Sequence, residues 1–351
     1  MNNHASLLCH VNLANGFRGG ERQTLLLVKA LEERGFKQKL IVRKNSELSK
    51  RSKSIRDIDV IETNIFAFGA FCGSTQKTFF HFHDSRSFPI FYLNSLFKSL
   101  SYIYTRRVQR PPKVNFMSKK IYRNARKVVC LSSSIRKTVK ESFGESIDSI
   151  IISSSSTGFS HNLEMSLKIR QKIKQEFIVG HIGALDDSHK GQLDIIKLAR
   201  ETKKKKLDVG FLLVGSGRDE FFLKKESKDL DNVYFIGQVE NIGDYLKAFD
   251  IFIFPSRHEG LGSILLDALE FGIPIIATKV GGIPEIINDG ENGIIINDNN
   301  ASFFLDALSC LYFDRNLRNQ ISINNKRRAR RFTIEKMVES YMKLYKPFLN
   351  L

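Results

Sequence analysis

Cysteine is scarce in this 351-residue sequence, which has only Cys9, Cys72, Cys130 and Cys310. They are scattered, with no CxxC or Cys/His pairing at metal-ligand spacing, so neither a zinc site nor a disulfide framework is indicated. Long apolar runs are also missing: none reaches the roughly 18 residues that suggest a membrane-spanning helix. The N-terminus lacks a basic start followed by an apolar stretch and a cleavage site, so no secretory leader is expected. A reduced, cytoplasmic setting follows as the expectation. No repeat of fixed period and no recognisable nucleic-acid-binding module is present. Acidic residues are in deficit: 37 Asp and Glu face 55 Lys and Arg, a net charge of +18.

That charge is uneven. Residues 1–170 hold 29 Lys and Arg against 12 Asp and Glu, whereas residues 171–351 hold 26 against 25. A positive field of this kind attracts phosphates, whether on nucleic acid, anionic lipid or a phosphorylated glycan. The plainer reading is a solvated, lysine-rich composition. Hydrophobic residues make up 42% and charged residues 26%, enough for each of two ordinary domains to bury a core.

Short apolar runs recur, each followed by a polar loop and a helical pattern. The expected strands are Ser6–Val11, Lys39–Val42, Lys127–Leu131, Ser149–Ser153, Phe177–Ile182, Asp208–Val214, Val233–Ile236, Asp250–Phe254 and Pro274–Ala277. Most are continuous rather than alternating, as in parallel strands covered on both faces. The fold class is therefore α/β, with two Rossmann-like, doubly wound domains. A serine run at Ser153–Ser156 and a basic stretch, Met165–Glu176, put the boundary near 165. The expected division is an N-terminal domain over 1–165, a second over 166–332 and a closing helix over 333–351 that could pack back on the N-terminal domain. That helix carries Met337, Tyr341, Leu344 and Tyr345 at helical spacing.

The most informative segment runs from Phe252 to Ile296. A buried strand ends at Pro255, a loop with Gly260 and Gly262 follows, and a helix starts near Ser263, a plausible N-cap. Ligands of open α/β sheets bind at the carboxyl ends of strands, and a helix N-terminus there offers N–H groups to an anion such as a diphosphate. Glu259 can accept sugar hydroxyls, and Asp267, one turn into the helix, can accept those of a ribose. Further on, Gly281-Gly282-Ile283-Pro284-Glu285 makes a turn that frees the backbone and starts a helix.

This segment resembles the signature of family 4 glycosyltransferases, retaining enzymes of the GT-B fold, including bacterial envelope and lipopolysaccharide glycosyltransferases. Their motif sets two Glu residues eight positions apart. Glu259 fills the first position; the second is Asp267, one methylene shorter, and Glu270 has the wrong spacing. The resemblance implies two domains facing a cleft and a nucleotide-sugar donor bound by the C-terminal one. It implies transfer of a hexosyl or heptosyl group with retention, without metal or other cofactor.

It extends to other residues. Gly183 ends a strand, and Lys190 precedes Gly191 before a helix; by position Lys190 contacts the donor diphosphate. The family often has an Arg where Ala184 stands, and His189 and Arg257 are nearby groups that could replace it. Gly215, in Val214-Gly215-Ser216-Gly217, matches a turn beside the nucleotide, although such turns are common. Gly19 and Gly20 match a donor-approaching loop, without the GxGxxG of dinucleotide folds or the Lys-Ser/Thr of a P-loop. His81 and His83 fall on one side of an extended chain. No further ligand is spaced to join them in a metal site, and by resemblance His83 contacts the transferred sugar. Arg106 and Arg107 are either acceptor-phosphate contacts or a plain basic face. The run Phe88–Tyr104 is either a membrane-interface segment or a buried helix.

The expected catalytic set is thus His83, Lys190 and Glu259. Donor contacts are expected from Gly19, Gly20, Gly183, Lys190, Gly215, Gly262, Ser263 and Asp267, and acceptor contacts from Arg106 and Arg107. The expected acceptor is an anionic saccharide or glycolipid, such as a lipopolysaccharide core or lipid-linked glycan. The expected setting is cytoplasmic, either free or peripheral on the inner face of an anionic membrane, and nucleic acid is not the expected partner. The alternatives are a catalytically inactive GT-B scaffold and a glycan- or nucleic-acid-binding protein.

Overall fold

The computed structural model describes residues 7–64, 78–95, 100–297 and 301–349. Two compact units emerge: Met1–Thr157 together with Phe332–Leu351, and Gly158–Arg331. The first holds seven strands: β1 Leu7–Asn12, β2 Gln38–Arg43, β3 Ile58–Thr63, β4 Thr78–Phe82, β5 Ser101–Arg106, β6 Lys127–Cys130 and β7 Ser149–Ile151. They pair in parallel in the order β3-β2-β1-β4-β5-β6-β7. The second unit holds β8 Phe177–Ile182, β9 Val209–Val214, β10 Val233–Gly237, β11 Ile251–Phe254, β12 Ile275–Thr278 and β13 Ile294–Ile296. These are also parallel, in the order β10-β9-β8-β11-β12-β13.

Every residue of β1, β9 and β11 is buried, the physical reason their sequences run apolar without alternation. In each sheet the strand order reverses once, between β1 and β4 and between β8 and β11. The crevice outside the carboxyl ends at such a reversal is where open α/β sheets bind ligands.

Two boundaries depart from expectation. The second unit begins at Gly158, because the basic helix Leu163–Gln171 packs on the helix Ile242–Ala248 of that unit. Asn162 donates its backbone N–H to Asp244 at 2.6 Å, and Arg170 donates to the Ala248 carbonyl at 2.6 Å. The run Phe88–Tyr104 is divided between a helix, Phe88–Ser95, and the strand β5. Tyr102 and Tyr104 are buried in the sheet, with Tyr102 tilted against Phe91 and Tyr104 edge-on to Phe88, so their rings are core and do not form a membrane-facing surface. The closing helix, Ile334–Tyr345, belongs to the first unit.

That helix is capped by Thr333, whose hydroxyl accepts from the Lys336 N–H. Met337, Val338, Tyr341, Leu344 and Tyr345 pack against Leu8, Leu27, Leu31, Phe79 and Val129. Burying each aliphatic side chain contributes about 1.5–3 kcal/mol. The chain leaves and re-enters the unit at one place: Ser156 donates to the Phe332 carbonyl at 2.7 Å.

Candidate functional site

In the second unit, the loops after β8 and β11 meet at backbone contact. Gly191 is left-handed, with φ of 68°, and a Cβ there would lie 2.2 Å from the Pro255 carbonyl oxygen. The Arg257 N–H donates to the His189 carbonyl at 2.9 Å. This contact brings Lys190 Nζ to 2.5 Å from Glu259 Oε2 and to 4.9 Å from the centre of the Phe254 ring. The two side chains are 22% and 16% exposed, so the pair is shielded while still open to an incoming group.

Gly262 is left-handed, with φ of 84°, and is itself the cap of the helix Ser263–Phe271. Ser263 is the first helical residue rather than the expected N-cap, and no side chain caps the helix. An uncapped helix start carries partial positive charge and unpaired N–H groups. Asp267 lies on the buried face of this helix, 2% exposed and already engaged within the protein. Contact with a ribose would require that carboxylate to be uncovered.

Gly183 and Gly215 serve close packing of loops. The Gly183 N–H donates to the Val214 carbonyl at 3.0 Å, and a Cβ on Gly215 would lie 2.0 Å from the Gly183 carbonyl oxygen. Arg257, the candidate replacement for the arginine missing at Ala184, is engaged by neighbouring residues. Its guanidinium donates to Asp194 at 2.7 Å and to the Asp187 carbonyl at 2.5 Å, bracing the loop that carries Lys190. His189 is exposed, its ring 5.7 Å from that of His258.

In the first unit, Gly19 and Gly20 begin the helix Gly19–Glu32. A Cβ on Gly20 would meet Arg107 Cδ at 3.2 Å, so this arginine lies across the helix start. Arg106 points elsewhere: it is buried, donating to the Tyr122 hydroxyl at 2.9 Å and to the Arg110 carbonyl. These bonds hold Arg106 inside the first unit. Arg107 is partly exposed, with Nη2 3.5 Å from His83 Nδ1.

His83 itself is 2% exposed. His81 and His83 share one face, with ring centres 3.8 Å apart. A third histidine joins them, contrary to expectation. β1 pairs with β4 in a register that sets His10 against His81, and the ligand atoms of His10, His81 and His83 lie within 4.8 Å of one another. These nitrogens already hold hydrogen bonds. His10 Nδ1 is 2.9 Å from His83 Nε2, and His10 Nε2 is 3.1 Å from Gln38 Oε1. His81 bonds Tyr345 at 2.6 Å and Thr105 at 2.7 Å.

Burial holds all three imidazoles neutral: it lowers His10 to about 3 and holds His81 and His83 well below the usual histidine range, with Arg107 adding to the effect on those two. The sign follows from linkage. Below about pH 6.5 the unfolded chain takes up protons that the folded unit refuses, so stability is full above that pH and falls as pH drops. Each such group removes about 1.4 kcal/mol per pH unit until its folded-state value is reached. Urea midpoints measured from pH 7.5 to 4.5 are expected to fall steeply below pH 6.5. Substituting His10 with a neutral residue such as Asn flattens the slope; an unchanged slope contradicts this account.

Residues 165–328 match the family model described as glycosyl transferases group 1. An uncharacterised glycosyltransferase of Methanocaldococcus jannaschii is 30% identical over 270 residues, 74% of this chain and 66% of that protein. The lipopolysaccharide core biosynthesis mannosyltransferase LpsB of Rhizobium meliloti is 32% identical over 123 residues, 34% of this chain and 35% of LpsB. The crystal structure of Anabaena HepE in complex with UDP and glucose superposes with a TM-score of 0.83 at 16% identity, covering 97% of this chain and 99% of HepE. The second unit thus belongs to the group 1 glycosyl transferases, and the chain has the GT-B fold. The chain spans 41% to 66% of the length of the first relatives it matches.

Proposed function

We propose that this protein is a glycosyltransferase that moves a hexosyl or heptosyl group from a nucleotide sugar to a saccharide acceptor, with retention and without a metal. The observation that carries this reading is the Lys190–Glu259 pair beside the uncapped helix after Gly262, at the strand-order reversal of the second sheet. A diphosphate carries more charge than one carboxylate and competes for Lys190. Once Lys190 turns to the diphosphate, Glu259 is free to accept sugar hydroxyls. Lysine and helix start together stabilise the charge that develops on the departing nucleoside diphosphate. His83 and Arg107 are assigned to the transferred sugar and to acceptor phosphate.

The acceptor class rests on the basic first half of the chain and on likeness to LpsB: a lipopolysaccharide core or lipid-linked glycan at an anionic membrane face. Among the described residues no helix is long and apolar enough to cross a membrane. The surface of the helix Phe116–Asn124 supports contact at a membrane face: Phe116 is 74% exposed, beside the exposed Val114 and the cations Lys113, Lys119 and Arg123. The setting on this reading is cytoplasmic.

A thermal-shift screen against UDP, GDP, ADP, CMP and their sugars tests the donor. One nucleotide at 100 times its Kd is expected to add about 2.7 kcal/mol of stability. No shift with any of them overturns the donor assignment.

A further inference from the structure

We propose that Gln38 and His10 form a hydrogen-bonded relay that fixes His83 in one tautomer, with its proton on Nε2 and a bare Nδ1 at the end of β4. The consequence for substrate rests on the assignment of His83 above: the bare nitrogen exchanges its 3.5 Å contact with Arg107 for a hydrogen bond from a sugar hydroxyl, and Gln38 and His10 are positioning residues acting through it.

The direction of each bond can be followed from the far end. Gln38 Nε2 donates to the Val28 carbonyl at 3.0 Å. Turning the amide round would set two acceptor oxygens against each other, so Gln38 Oε1 faces His10. That oxygen can only accept, so the proton between Gln38 and His10 sits on His10 Nε2. A neutral imidazole with its proton on Nε2 has a bare Nδ1. His10 Nδ1 therefore accepts, and the bond to His83 is donated by His83 Nε2. His83, also neutral, is left with a bare Nδ1.

The other end of the relay leads independently to the same answer. Arg107 Nη2 lies 3.5 Å from His83 Nδ1, and a guanidinium has no acceptor to offer. Only a bare Nδ1 tolerates it. Burial supports the neutral state of both rings, since a second proton on either would have no carboxylate partner in the chain of bonds and would face Arg107. The same bonds argue against a metal among the three histidines, because His10 Nδ1 and His83 Nε2 share one proton and His81 is held by Tyr345 and Thr105.

The strands explain why these groups meet. Leu40, two residues after Gln38, pairs with His10 on β1, and His10 pairs with His81 on β4. Parallel neighbours stand about 4.8 Å apart with a side-chain period of two. Gln38, His10 and His83 therefore step across three adjacent strands towards their carboxyl ends.

The test is a long-range proton–nitrogen NMR correlation on the full chain labelled with nitrogen-15 histidine, with His83→Ala to assign the ring. The expected result is a protonated Nε2 and a bare Nδ1 on His83. Gln38→Met, similar in volume but without an acceptor, is expected to give His83 a mixture of tautomers. It should also lower kcat/KM about tenfold, the size of one lost hydrogen bond. A proton on Nδ1 in the unaltered protein overturns the relay, and that reading does not depend on any variant folding. So does an unchanged tautomer in a folded Gln38→Met, or stoichiometric Zn(II) binding that alters all three rings. A tautomer shift with an unchanged rate keeps the relay and removes His83 from the sugar site.

Discussion

Lys190→Ala is expected to abolish most of the thermal shift given by the donor nucleotide and to lower kcat/KM about 10²–10³-fold, the usual scale for removing one preorganised group that meets developing charge. Lys190 is the cation the structure brings to the carboxylate of Glu259, 2.5 Å away, at the ends of β8 and β11. The neighbouring Arg257 is tied to Asp187 and Asp194, and position 184 is alanine. The fold should survive, because the ammonium is partly exposed and removing it leaves Glu259 able to reach water. Isothermal titration with the nucleotide found in the screen, alongside initial rates, reads both effects. Equal affinity in the variant would move the diphosphate away from this loop.

Gly191→Ala is expected to unfold the second unit's loop region and to cost more than about 3 kcal/mol of stability, in the range reserved for serious backbone conflict. Two effects combine there. Left-handed geometry costs a non-glycine residue roughly 1–2 kcal/mol, and the added Cβ would sit 2.2 Å from the Pro255 carbonyl oxygen. Gly290 separates them, since it has φ of 74° with nothing within 4 Å of its Cβ position. Gly290→Ala should therefore show only the conformational part. Thermal unfolding of both variants gives the comparison; equal losses would mean that the loops after β8 and β11 do not touch.

The sequence made the second unit more legible than the first. Its strands β8, β9 and β11 are continuous apolar runs because both faces are covered, and the loop residues Lys190, Gly191, Glu259 and Gly262 lie close to the strands that position them. In the first unit, β5 lay inside an aromatic run whose hydropathy suits helix, membrane and buried strand alike; only pairing with β4 and β6 settles it. The edge strand β3 has its apolar residues Ile58, Val60 and Ile61 broken up by Asp59 and followed by Glu62, with no clean period, and it pairs only with β2, so its local signal is weak. Period two put His81 and His83 together from sequence, but His10 comes from another strand, 73 residues before its partner His83. Register across a sheet leaves no local trace. The same holds for Arg106 and Arg257: a basic side chain looks free until its buried partners are known.

The closing helix has a consequence for how the chain is made. Tyr345 bonds His81, and its neighbours fill the first unit's core, yet they follow the entire second unit in the chain. During synthesis the second unit is complete while the first still lacks the helix that seals it. On the ribosome, Leu8, Leu27 and Phe79 stay uncovered until residues 334–345 emerge, so the first unit to be made is the last to finish folding.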